Sequence, residues 1–113
     1  GLAETYIAMK KWPEATEAVA KAAALEPDDL DVALDAAIVS LGAGDAGAAA
    51  RRLEALSTRA GAPAITGYYL GHAYLRLGEK AKAREAFERF AASWEGDRAL
   101  ADEARTLAEQ LAP

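Results

Sequence analysis

The chain has 113 residues, of which 52% are hydrophobic and 27% charged, a globular rather than a disordered composition. Its net charge of -5 opposes binding to nucleic acid and to anionic membrane surfaces, so neither partner is expected. The lack of cysteine excludes disulfides, thiolate metal sites and cysteine nucleophiles, and a single histidine excludes a multi-histidine metal cluster; no cofactor is expected.

Alanine supplies 31 residues, which favours helix over sheet. In chain order, Leu2, Ala3 and Tyr6 form a first apolar stripe. A turn at Lys10-Lys11 leads into a second stripe of Ala15, Val19 and Ala22, with Pro13 near the helix start, where a missing N–H costs little. Pro27-Asp28-Asp29 ends that helix, and either aspartate can cap the next. Ala33, Ala36, Ala37 and Ser40 follow at helical spacing, then the turn Gly42-Ala43-Gly44-Asp45, then Ala49, Leu53 and Leu56. The Gly42–Gly47 stretch lacks the Lys-Ser/Thr of a phosphate loop and reads as a turn. Gly61-Ala62-Pro63 punctuates the next boundary. Gly67, Leu70, Gly71 and Tyr74 make the next helix, Gly78-Glu79 breaks it, and Ala83, Ala86, Phe87 and Phe90 make another. After Gly96-Asp97 a last helix is predicted from about Arg98 to Ala112. Its apolar stripe is Leu100, Ala104, Leu107, Ala108 and Leu111; Asp102, Glu103, Arg105, Glu109 and Gln110 form its wet face. No apolar run approaches the roughly 18 residues a membrane span needs, so no direct membrane insertion is expected. No signal peptide opens the chain, and the compartment stays open between cytoplasm and periplasm.

The elements repeat. Ala15, Ala49 and Ala83 are 34 residues apart, and so are Val19, Leu53 and Phe87; Tyr6, Ser40 and Tyr74; and the small residues Ala3, Ala37 and Gly71. Leu70-Gly71-His72-Ala73-Tyr74, Trp12, Ala83-Arg84-Glu85-Ala86-Phe87 and Pro27 together resemble the tetratricopeptide repeat, a 34-residue helix–turn–helix unit. The middle unit departs from the pattern, with Ala36 and Ser40 in place of Leu and Tyr, and the third has Glu95 in place of Pro. The resemblance implies an all-α solenoid: a partial repeat over 1–29, repeats over 30–63 and 64–97, and a C-terminal capping helix over 98–113. By this register Gly1 falls inside a helix, so the chain reads as one domain of a longer protein.

The resemblance also implies a non-catalytic interaction module that holds a peptide or protein segment in a concave groove lined by the first helix of each repeat. Helical phase places Tyr68, His72 and Leu75 one residue past the core stripe of the third unit, and Leu34, Ile38 and Leu41 in the second. Asp31, Asp35, Tyr69 and Arg76 flank them. Leu34, Ile38, Leu41 and Leu75 can equally be packing between repeats. His72 suits a groove or a half-buried hydrogen bond better than a metal site. Asn is absent and Arg76 is the only base near this face, which disfavours clamping of a terminal carboxylate. The alternative role is a scaffold that assembles with a second copy or an adjoining domain through an open N-terminal edge at Leu2, Tyr6 and Ile7.

Overall fold

A computed structural model describes residues 2–113, and these are all-helical, with seven helices and no strand among them. The expectation that Gly1 lies in a helix concerns a residue outside the described ones. The chain forms two compact units, Gly1–Pro63 and Ala64–Pro113, and the division falls at the Gly61-Ala62-Pro63 breaker.

The first unit holds α1 (Leu2–Ala8), α2 (Trp12–Leu25), α3 (Leu30–Gly42) and α4 (Ala46–Ser57). Helix α1 packs on α2, α2 on α3, α3 on α4, and α1 also touches α3. Ala15, Val19 and Val39 form a core cluster against which Ala3, Tyr6, Ile7 and Ala36 pack. Two of the three residues assigned to an open edge, Tyr6 and Ile7, are therefore engaged inside the unit; Leu2 is 62% exposed. Ala37, Ala49 and Leu53 are fully closed off, so alanine here permits close helix approach and leucine fills the space beside it. Gly42 faces the indole of Trp12 so closely that a methyl group would overlap the ring.

The second unit holds α5 (Thr66–Arg76), α6 (Lys80–Ser93) and α7 (Arg98–Gln110), with α6 packed on both neighbours. Its core is aromatic. Phe87 is fully buried and Phe90 is 3% exposed, amid Tyr74, Ala83, Ala91, Ala101, Ala104 and Ala108. Gly71 makes this possible, since a Cβ there would lie 2.6 Å from the Phe87 ring. The last helix stops at Gln110, two residues short of the predicted end, with Leu111 as its C-cap.

The α1–α2, α3–α4 and α5–α6 turns share one geometry. Lys10, Gly44 and Gly78 adopt the left-handed conformation, with φ of 57°, 95° and 75°. The N–H of the following residue donates to the carbonyl five positions earlier: Lys11 to Tyr6 (2.9 Å), Asp45 to Ser40 (2.9 Å) and Glu79 to Tyr74 (3.0 Å). This is the Schellman closure, which satisfies carbonyls that a helix end would leave orphaned. Asp29 is the aspartate that caps α3, accepting from Asp31 N at 2.8 Å and Val32 N at 3.2 Å. The Val32 N–H first, then the Glu26 side chain and least the Asp31 N–H hold its carboxyl below the usual range. Asp97 caps α7 through Ala99 N at 3.0 Å. Asp45, read from sequence as a turn residue only, also caps α4 through Ala48 N at 2.9 Å.

Candidate functional site

In the first unit the candidate residues sit on α3. Asp31 is exposed, Asp35 and Ile38 are half-buried, and Leu34 and Leu41 are buried. Leu34 therefore packs rather than offers surface, the alternative the sequence left open. Asp35 lies near enough to Glu4 on α1 for the two carboxyls to act on each other. Burial, the Glu4 charge and then Asp31 push the Asp35 carboxyl up to about 6. Two facing carboxyls hold a shared proton far more readily than either does alone.

In the second unit Tyr68, Tyr69, His72 and Leu75 are half-buried on α5, and Arg76 is exposed. An aromatic chain ties them to the core. Tyr68 packs edge-on against Tyr69 and His72, at 5.3 and 4.7 Å between centroids, and His72 packs edge-on against Phe87 at 5.1 Å. Glu103 of α7 completes the group. Its Oε2 accepts a short hydrogen bond from the Tyr68 hydroxyl and lies 3.5 Å from His72 Nε2. That second contact is an ion-pair distance outside hydrogen-bonding geometry, and Nε2 is buried without a hydrogen-bond partner. Burial holds the imidazole below its ordinary value, only partly opposed by Glu103. Burial and the Glu103 hydrogen bond together hold the Tyr68 phenol well above its ordinary value.

Glu103 is the residue that sequence reading missed. A charged side chain on a terminal helix with one wet face reads as solvated. Carried one step further, the 34-residue spacing puts Glu103 in the column of Asp35 and Tyr69, and His72 in the column of Glu4 and Ile38. The pairs Glu4 and Asp35, and His72 and Glu103, thus occupy matching positions, each 31 residues apart, one in each unit.

Elsewhere in the second unit a shallow groove of about 610 Å³ runs between α6 and α7, lined by Lys80, Arg84, Glu88, Leu111 and Pro113 among others. It lies away from the residues predicted to bind a partner. Among the described residues there is no group of three or more His, Asp or Glu side chains able to hold a metal ion, and no helix long and apolar enough to cross a membrane. Comparison with known proteins finds no matching family model and no matching curated protein.

Proposed function

We propose that the chain is a tetratricopeptide-like helical-repeat module, an α-solenoid whose first helices hold a peptide or partner segment. Three recurrences support the family reading. The left-handed turn residues Lys10, Gly44 and Gly78 are 34 residues apart, as are the starts of α2, α4 and α6 at Trp12, Ala46 and Lys80. Ala15, Ala49 and Ala83, at the same spacing, are each 0% exposed. The binding role rests on one observation: while those alanine positions are closed, Ile38, Tyr69 and Leu75 remain half-exposed on first helices. Apolar groups held on a rigid helix face suit a partner's apolar side chains, and the exposed Asp31 beside Asp35 favours a segment that carries positive charge.

Tyr68 and His72 make poor test positions, because both engage Glu103 and their loss would disturb α7. Leu75→Lys and Ile38→Lys are better. Peptides selected from a random displayed library on the wild-type protein are expected to lose at least about tenfold in affinity for variants that circular dichroism shows to be folded. Undiminished binding to both variants would reject the groove reading.

A second reading, assembly through the edge at α1, is supported by Leu2 and Met9, exposed by 62% and 54%. Sedimentation equilibrium separates the two. A concentration-dependent dimer that Leu2→Glu abolishes would favour the edge, and a monomer at all concentrations would dismiss it.

A further inference from the structure

We propose that Glu103 and the tyrosine pair beside it form a seat for a lysine side chain of the bound segment. The inference rests on the groove reading above and names one residue of the partner. Four carboxylates of the second unit pair with a lysine or arginine three or four residues away: Glu79 with Lys82, Glu85 with Arg89, Glu88 with Arg84 and Asp102 with Arg105. Glu103 has no such partner. Its contacts are the Tyr68 hydroxyl and the His72 ring, both through Oε2, and burial holds that ring below its ordinary value, so it is largely neutral near pH 7. Among the described residues Oε1 carries neither a hydrogen bond nor an ion pair. The Glu103 side chain is 47% exposed. A half-exposed carboxylate with one open oxygen and no counter-charge is an acceptor for a cation.

The surroundings select the kind of cation. Tyr68 stands edge-on to Tyr69 and to His72, and tilted against Phe90 at 5.6 Å, so the carboxylate ends an aromatic surface. Tyr68 and Tyr69 are half-buried. Such rings carry the methylenes of a long side chain and attract the positive charge at its tip. A guanidinium binds a carboxylate best as a fork, to both oxygens at once. Tyr68 already holds Oε2, so only half of that fork finds an acceptor. An ammonium needs a single acceptor and keeps its full interaction at Oε1.

The test uses the peptides selected on the wild-type protein from the displayed library, resynthesised with each basic residue in turn as lysine, arginine or norleucine. One lysine is expected whose change to norleucine costs at least about fivefold in affinity, and to arginine about two- to threefold. Glu103→Gln keeps an acceptor for the Tyr68 hydroxyl and removes only the charge. On that variant the three peptides should bind within about twofold of one another. Tyr68→Phe frees Oε2, and there arginine should equal or exceed lysine; this ratio is unmoved by a general weakening of the contact between α5 and α7. A lysine preference unchanged in Tyr68→Phe overturns the choice of lysine over arginine. Peptides that weaken on Leu75→Lys but bind wild type and Glu103→Gln alike leave the groove reading standing and overturn the lysine seat. A lysine advantage that survives Glu103→Gln and is lost with Asp31→Asn overturns it too, moving the cation to the first unit. Peptides indifferent to Leu75→Lys and Ile38→Lys overturn both the groove reading and the seat.

Discussion

The two units are built from the same helix-to-helix turn and the same columns of small residues, yet they fill their interiors differently. The first is aliphatic, with Val19, Val39 and Leu53 around Ala15 and Ala49. The second is aromatic, with Phe87, Phe90 and Tyr74 around Ala83. The difference turns on single positions. Val19, Leu53 and Phe87 belong to one column, and the last faces a glycine, Gly71, whose own column holds Ala3 and Ala37 in the first unit. Removing one Cβ makes room for a ring. Small-residue positions thus set the permitted size of their partners, and the partners set the character of the core.

The sharpest way to break this comparison is to empty the core of each unit. Phe87→Ala is expected to cost about 3–5 kcal/mol and Leu53→Ala about 2–5 kcal/mol, read from urea unfolding midpoints at unchanged m-value. A loss below about 1 kcal/mol for Phe87→Ala would mean that the aromatic core collapses freely around the gap. Next in size is the glycine test. Gly71→Ala should cost about 1–3 kcal/mol, because the Phe87 ring it strikes is fully buried and cannot withdraw. Gly42→Ala strikes Trp12, which is half-exposed and can swing outward, so its cost should be smaller. The reverse order in thermal melts would contradict the packing described here.

Capping comes third. Asp45→Ala in the first unit and Asp97→Ala in the second should each cost about 1 kcal/mol, since each removes one acceptor from an otherwise orphaned N–H. Equal losses would mark them as the same device in both units. The smallest effect has the opposite sign. Lys10 adopts a left-handed conformation that carries a steric cost for any residue with a Cβ, whereas Gly44 and Gly78 adopt it freely, with open space where a Cβ would go. Lys10→Gly should therefore stabilise by up to about 1 kcal/mol, while Gly44→Ala and Gly78→Ala should destabilise by about the same amount.

Much of this was legible in the sequence. Hydrophobic spacing located every helix. The closed alanines were visible as a column, because alanine at three equivalent positions is a size constraint that survives without its neighbours. The aspartates before α3 and α7 announced themselves by chemistry. The turn at Lys10 was seen, but its left-handed backbone was not, since lysine carries none of the signal that glycine gives at positions 44 and 78. Tyr6 and Ile7 were assigned to an exposed edge because a helix at the start of a chain lacks a visible neighbour; in fact α2 and α3 supply one. Glu103 escaped for the opposite reason. Its partners Tyr68 and His72 are 35 and 31 residues away, and a charge on a wet helix face gives no hint of a distant acceptor role.

The chain's two tryptophans fall one to each unit. Trp12 lies across Gly42 in the first, and Trp94 stacks near Phe90 at 4.9 Å while its indole N–H donates to the Asp97 carbonyl at 2.9 Å in the second. Each indole is thus a built-in optical reporter of its own unit. Replacing either with phenylalanine leaves a single tryptophan, and the two resulting indole fluorescence traces would time the loosening of each half of the molecule without any added label.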